Sequence, residues 1–509
     1  MALLGIDIGT TGTKAVAFTP DGKVLAEAYR EYALNHPQPG WNELNAEEVW
    51  SKITEAVRQV GAKCRDITAL SISAQGEAFM PVSREGKVLG PSIVTFDNRA
   101  LAESDKLIEL FGRETLMAKT GMPASHIYTL PKILWWKNHR AEVFEKAHRF
   151  LCFEDFAFMK MGLDPVIDLS LAARTMGLDI HQKRWAADLL HAAGTAPSAM
   201  ASVMPSASVV GKLGPRAAES LNLPAGTVAV TGGHDQTAGA FGCGIAHGGE
   251  AMYAIGTVEC LLAVFDRIVT NEVMLKSNLC CYPHVVKDAW ASIAFNFSGG
   301  SLLKWYKNNF NLIEIANARL ENRSVYDVML ENIPEEPTGI LVLPHFTSTG
   351  TPYMDPDPLG AIVGLRLDTS RSTIAKAILE GTTYEMKLNL DLLKSAGVSI
   401  ERLRAIGGGS RSDAWLQIKA DIMGLPIVRM QVTEAACLGV ALCAGVATGV
   451  YSSADDAVKA ACRTGKEFLP DEGRHGRYQE LLAGYEELYG ALKKVRTAIR
   501  NYSQGGVKK

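Results

Sequence analysis

Thr227-Val-Ala-Val-Thr-Gly-Gly-His-Asp-Gln-Thr-Ala-Gly-Ala-Phe241 is the stretch on which the reading of this chain turns. Val228 and Val230 predict a short buried strand, Gly232 and Gly233 a turn, and the residues after them the start of a helix. One acid, Asp235, stands where strand gives way to helix. Two roles fit it. It caps the helix, as short polar residues commonly do, or it is a base held at the end of a strand. The remainder of the chain has to choose.

Working outward, the same pattern opens the sequence. Leu3-Leu-Gly-Ile-Asp-Ile-Gly-Thr-Thr-Gly-Thr-Lys-Ala-Val-Ala-Phe18 reads as two β-runs around a Gly/Thr turn, a hairpin. The turn offers Asp7, backbone N–H groups from Gly9 to Gly12, and hydroxyls on Thr10, Thr11 and Thr13. Such a set cradles phosphate and places a carboxylate to hold hydrated Mg²⁺. A plain glycine-rich turn is the competing reading. The segment is not a Walker A loop, because Thr13 separates Gly12 from Lys14.

Met252-Tyr-Ala-Ile-Gly-Thr-Val-Glu-Cys-Leu-Leu-Ala-Val-Phe265 repeats strand, Gly-Thr turn, strand. Two such hairpins predict a duplicated α/β fold, with Gly256 and Thr257 meeting phosphates from the opposite wall of a cleft. Gly242 to Gly249 is expected to carry the crossing between the halves. A third glycine turn, Gly407-Gly-Gly-Ser-Arg-Ser-Asp413, lets Gly408 and Gly409 approach a flat ring or a phosphate. A dinucleotide fingerprint fails here. Ser412 stands where the third glycine belongs, and Asp421 falls inside the following helix, expected over 415–423.

Between these landmarks, Asn45 and Glu48 predict a helix start, with Val49, Trp50, Ile53, Val57 and Val60 on its apolar face. Gln75, Glu77 and Asp97 follow predicted strands, where open α/β sheets bind ligands. They are candidate sugar-hydroxyl partners, with loop solvation as the plainer alternative. Residues 101–225 are expected to be mostly helical, with Trp135, Trp136 and Trp185 packing a core. A helix is expected over 372–396. Ala435 to Val450 predicts a buried helix. Tyr478, Leu481, Tyr485, Leu488, Leu492, Val495 and Ile499 mark a last helix. It fits packing against the body better than a free coiled coil, because Gly484 and Gly490 weaken an isolated helix. Ser503 to Lys509 is expected to fray.

The bulk numbers exclude several classes. The 509 residues are 47% hydrophobic and 21% charged, which fits two large globular domains. A net charge of −3 provides no field for nucleic acid or anionic membrane. The nine cysteines show no metal-site spacing, and a disulfide framework is not expected. No signal peptide precedes Leu3, and no apolar run reaches the ~20 residues of a membrane span. A cytoplasmic protein is the expectation.

Seven motifs in order then carry a resemblance. They are Asp7-Ile-Gly-Thr-Thr-Gly-Thr-Lys14, Gly40-Trp41 with Trp50, Leu130-Pro-Lys-Ile-Leu-Trp-Trp136, Gly232-Gly-His-Asp-Gln236, Ile255-Gly-Thr257, Gly360-Ala-Ile-Val-Gly-Leu365 and Gly407-Gly-Gly-Ser-Arg-Ser-Asp-Ala-Trp415. Together they resemble the FGGY carbohydrate kinases of the actin/hexokinase/Hsp70 ATPase superfamily. The resemblance implies two ribonuclease-H-like (actin-like ATPase) domains, 1–246 and 247–509, with ATP and a sugar in the central cleft. It implies Asp235 as catalytic base, and Asp7 with Asp235 holding Mg²⁺ through water. Thr10, Thr11, Thr13, Lys14, Gly256 and Thr257 are then expected at the phosphates, and Gly300, Lys304, Gly408, Gly409, Ser410 and Asp413 around the nucleoside. Gln75, Glu77, Asp97, His234 and Gln236 are expected at the sugar. Dimers are common in the family.

Two departures bear on the substrate. Xylulokinases of this family usually show Gln-Met-His after the third strand, and glycerol kinases show Gln-Arg-Glu. This chain reads Gln75-Gly76-Glu77. The loop 345–359 reads Phe-Thr-Ser-Thr-Gly-Thr-Pro where many relatives have Gly-Glu-Arg-x-Pro. A ketopentose such as D-xylulose is the expected substrate. The alternatives are a polyol (glycerol or erythritol), suggested by Glu77 and Gln236, or fuculose, ribulose or gluconate. A chaperone-like or regulatory ATP-binding module is the reading from another class.

Overall fold

The computed structural model describes residues 1–505. Alternation of side chains builds the expected first hairpin. Ala2–Ile8 (β1) pairs antiparallel with Gly12–Phe18 (β2), Asp7 standing opposite Lys14. Val24–Glu31 (β3) continues beyond β2, and Ile67–Ala74 (β4) lies parallel to β1. Val209–Lys212 (β5) and Val228–His234 (β6) complete the sheet, in the order β5–β6–β4–β1–β2–β3.

The second sheet repeats the plan. Gly249–Ile255 (β7) and Glu259–Phe265 (β8) form its hairpin. Tyr282–Pro283 (β9), Trp290–Asn296 (β10), Ile400–Ile406 (β11), Ile427–Met430 (β12) and Thr464–Phe468 (β13) complete the order β9–β10–β8–β7–β11–β12–β13. Setting β7 on β1, β8 on β2, β10 on β3, β11 on β4 and β12 on β6 preserves every neighbour and every strand direction. The α/β expectation of two like domains rests on this repeat.

Helices cover the sheets where their apolar stripes demand it. Ala46–Lys63 (α1) is capped by Asn45, whose side chain accepts from the N–H groups of Glu47 and Glu48, and it packs on β2 and β3. Asp235–Gly242 (α2) follows β6 directly, and Gly300–Phe310 (α3) follows β10. Arg371–Ser395 (α4), Asp413–Met423 (α5) and Ala435–Ala447 (α6) belong to the second half in sequence. In space α6 returns to the first sheet and packs on β1, β4, β6 and α2. A helix apolar on all sides must be buried on all sides, and this one sits between α2 and the sheet. Glu472–Ala491 (α7) docks on the body through Tyr478, Leu482 and Tyr485, as expected for the tail. The fraying expected for 503–509 lies partly outside the described residues.

One local expectation is corrected. Gly232 and Gly233 are not a turn: β6 runs through them to His234. They are glycines because of close approach. A Cβ at 232 would stand 2.0 Å from the Ile72 carbonyl oxygen in β4, and one at 233 would stand 2.4 Å from Val285 Cγ1. The β6–β4 register shifts between Val230 and Gly233. His234 ends the strand and Asp235 opens the next helix just past that irregularity.

Candidate active site

The carboxyl ends of β1, β4 and β6 bring Asp7, the Gln75–Glu77 turn and Asp235 to one edge of the first sheet. The second half closes over that edge. The Tyr282 hydroxyl lies 3.1 Å from His234 Nδ1, and the Cys260 thiol donates to Gln236 Oε1 at 3.3 Å. The site therefore lies in a cleft between the sheets, as open α/β architecture favours.

Asp235 is the first residue of α2 and its side chain is 30% exposed. Its Oδ1 is buried without a hydrogen-bond partner, and His234 Nε2 stands 3.2 Å away. Burial pushes this carboxyl up to about 7, the charges of Asp7 and Glu77 push the same way, and the Gln236 N–H and Arg174 oppose them. The helix N-terminus alone would favour the ionised form. Here burial and neighbouring acids win, so at neutral pH the ligand-free carboxyl is poised rather than fully ionised. Burial, then Arg174, drives the His234 imidazole well below its usual range, so it is a neutral neighbour.

Asp7 sits at the end of β1, where the Ser73 hydroxyl donates to its Oδ1 at 2.7 Å. Burial raises its pKa, with Ser73 and Lys14 pulling it down. The adjoining turn is closed by the Gly9 N–H on the Gly12 carbonyl at 3.0 Å, which leaves Thr11 exposed and Thr10 half-buried. Thr10 donates to Gln75 Oε1, and Gln75 Nε2 donates to the Gly9 carbonyl, each at 3.0 Å. Gln75 therefore braces the turn with one bond at each end of its amide.

Further candidates are also occupied. Thr13 is buried and donates to the Asp7 carbonyl at 2.8 Å, so it offers no free hydroxyl. Lys14 is held by Glu434 at 2.5 Å rather than standing free for phosphate. Asp97 is fully buried and accepts from the Asn42 N–H at 2.6 Å and from Arg99 Nε and Nη2 at 2.8 Å each. It fixes Arg99 against Trp41 and has no free oxygen for a sugar. Glu77 does reach the site. Its backbone is left-handed (φ 63°), and its carboxylate accepts from Thr95 at 2.7 Å and pairs with Arg174.

In the second half the turn after β7 repeats the first. The Gly256 N–H donates to the Val258 carbonyl at 3.0 Å, and Thr257 is exposed. The first N–H groups of α3, from Gly300 and Ser301, bind the Gly256 and Thr257 carbonyls and lock this turn to the helix. Lys304 projects from the next helical turn and is exposed. Gly407 is left-handed (φ 88°), and a Cβ there would lie 2.6 Å from the Ile255 carbonyl oxygen. Gly408 has an open face, while Gly409 packs on Ile255 and Trp415. Two further side chains at this turn are engaged within the protein. Ser410 is buried and bonded back to the Gly407 carbonyl at 2.7 Å. Asp413 is held by Arg429 at 2.5 Å and Lys466 at 2.6 Å.

Arg174, Tyr282 and Ser73 were not among the expected residues. Ser73 could have been found by its place near the carboxyl end of β4, just before the Gln75–Glu77 turn. Arg174 and Tyr282 join the site through tertiary packing, and no local spacing marks them.

The profiles of the FGGY family of carbohydrate kinases match in order, the N-terminal domain over residues 2–242 and the C-terminal domain over 251–448. The chain belongs to the FGGY family of carbohydrate kinases. It is therefore a phosphotransferase acting on a carbohydrate. A xylulose kinase of Bacillus subtilis is 28% identical, over 98% of this chain and 99% of that protein. A gluconokinase of the same organism is 27% identical, over 99% and 98%. The crystal structure of a xylulose kinase from Rhodospirillum rubrum is similar with a TM-score of 0.88 at 25% identity, covering 98% of this chain and all of that one. Near-equal identity to relatives named for different sugars means that overall likeness does not choose the substrate of this FGGY kinase.

Proposed function

We propose that this FGGY kinase transfers the γ-phosphoryl group of ATP to a hydroxyl of a small sugar, with a ketopentose such as D-xylulose as the favoured acceptor. The observation that carries the reading is Asp235. It is an acid with an unpartnered oxygen at a helix N-terminus, on the floor of a cleft whose two walls carry matching Gly/Thr turns. Asp235 takes the proton of the acceptor hydroxyl as transfer proceeds, and a carboxyl titrating near 7 suits that task. Thr10, Thr11, Gly256 and Thr257 line the walls where phosphates would lie, with Gly408 and Lys304 on the nucleoside side. Glu77, His234, Gln236 and Arg174 surround the acceptor.

The residues fit a divalent cation. Asp7 stands close enough to raise the proton affinity of Asp235, and Asp235 keeps an oxygen without a partner. Among the described residues no cluster of three or more His, Cys, Asp and Glu side chains could hold a metal, which suits Mg²⁺ carried largely by water and phosphate. Asp7 and Asp235 would hold it through water, and its charge would offset the charge developing on the transferring group. Closing the cleft would exclude water from the acceptor hydroxyl.

The test is ADP release by wild type and Asp235→Asn over xylulose, ribulose, fuculose, gluconate, glycerol and erythritol. One sugar should accelerate ATP turnover well above the sugar-free rate, and the variant should lose about 10²–10⁴ in kcat. Near-normal turnover by Asp235→Asn would sink the base assignment. Sugar-independent ATP turnover alone would instead favour an ATP-binding module.

A further inference from the structure

Gly76 lies between Gln75 and Glu77 and has no side chain, yet the space beside it is filled. A Cβ there would stand 3.0 Å from Cδ2 and Nε2 of His234 and 3.4 Å from Nε of Arg174. His234 Nε2 in turn stands 3.2 Å from Asp235 Oδ1. The imidazole and the guanidinium thus converge on one point beside the reacting carboxylate.

Arg174 is held firmly but satisfied poorly. Its side chain is 7% exposed and lies between the rings of Tyr128 and Tyr282, 5.3 and 5.4 Å from their centres. Nη2 pairs with Glu77. Nη1 donates to sulfur, Cys280 Sγ at 3.6 Å and Met122 Sδ at 3.8 Å, both weak acceptors, and the guanidinium also bonds the Tyr128 hydroxyl. Nε is buried with no hydrogen-bond partner. A buried donor left unpaired beside a base is a place for an oxygen that arrives with the substrate. Beyond Arg174, between Ile127 and Tyr128 of one half and Ile293 and Phe295 of the other, lies a cavity of about 320 Å³. The remainder of an acceptor longer than glycerol would enter it.

We propose that Arg174, paired with Glu77, is the specificity-determining group of the sugar site, and that the pair admits neutral sugars while turning sugar acids away. The inference rests on the sugar-kinase reading and deepens it. Glu77 pairs with the guanidinium, and Asp7 and Asp235 are further acids at the same edge of the sheet. A substrate carboxylate therefore meets an arginine already paired with an acid, and its desolvation is poorly compensated. A hydroxyl next to the acceptor position faces no such penalty. It accepts from Arg174 Nε–H and can donate to a carboxylate.

The experiment compares kcat/KM for D-xylulose and gluconate in wild type, Arg174→Lys and Glu77→Gln, each first checked for cooperative thermal unfolding. Wild type should prefer the neutral sugar. Arg174→Lys keeps the charge and loses the flat fork, so its KM for xylulose should rise about tenfold or more with kcat less affected. Glu77→Gln frees the guanidinium charge, and its gluconate-to-xylulose ratio should rise at least about tenfold. If Glu77→Gln does not fold, the neutral double variant Arg174→Gln/Glu77→Gln replaces it. The double variant should bind xylulose poorly and gain nothing on gluconate. A wild type that prefers gluconate, an unchanged ratio in Glu77→Gln, or a gluconate gain in the double variant each overturns the inference and leaves the kinase reading standing. No turnover with either sugar or with any other in the panel overturns both.

Discussion

Asp235 holds its proton to about pH 7 because it is buried beside Asp7 and Glu77. The free enzyme should therefore show kcat/KM rising with pH through an apparent pKa near 7. The same carboxyl affects stability. The unfolded chain ionises it near 3.8, the folded one near 7. Folding thus favours the protonated form, and the stability that Asp235 contributes is lost as pH rises from about 4 to 7. Asn cannot ionise. The melting temperature of Asp235→Asn should therefore gain on wild type across that window and hold a constant lead above it. A lead that shrinks with rising pH would contradict the assignment. Legibility at this scale was uneven, for a physical reason. Asp7, Glu77 and Asp235 could be found because strand ends project side chains into the cleft. Asp97 also follows a strand, but Arg99 two residues on folds back on it, and nothing in the spacing announces that. Arg174 reaches Glu77 through tertiary packing, which no periodicity encodes.

Helices α2 and α6 cross at glycines. A Cβ on Gly242 would lie 1.9 Å from the Ala435 carbonyl oxygen, and one on Gly439 would lie 1.8 Å from that of Ala238. Backbone meets backbone there, and no flexible side chain can give way. Gly439→Ala should cost about 3 kcal/mol in chemical denaturation, at the upper end for overpacking. It should also reduce kcat, because α2 carries Asp235 on its first turn. An alanine variant of unchanged midpoint and rate would show that the helices separate freely. The hairpins and the buried character of α6 were readable from alternation and composition. The role of Gly232-Gly233 was not, since glycine signals a turn and a close approach with the same letter. Only the partner strand distinguishes them.

Across the whole molecule the first sheet depends on chain that arrives late. The expected division at 246/247 falls in the crossing between the sheets, and α6 then returns to cover β1, β4 and β6. A fragment ending at residue 248 leaves that apolar face bare. It should lack cooperative melting and near-ultraviolet dichroism, and both should recover on co-expression with residues 249–509. A fragment that melts sharply alone would show that α6 is dispensable. The matched order of the two sheets has a further consequence. Asp7 stands two residues before the turn glycine of its hairpin; the counterpart two residues before Gly256 is Ala254, paired with Cys260. One architecture was thus given two electrical characters. The first copy keeps the anionic groups that handle a proton and a cation, while the second is neutral at the same place and can lie against a polyphosphate without repelling it. The scaffold is symmetric and its charge is not. That imbalance gives the cleft a direction, with its acids on one wall and a neutral turn on the other.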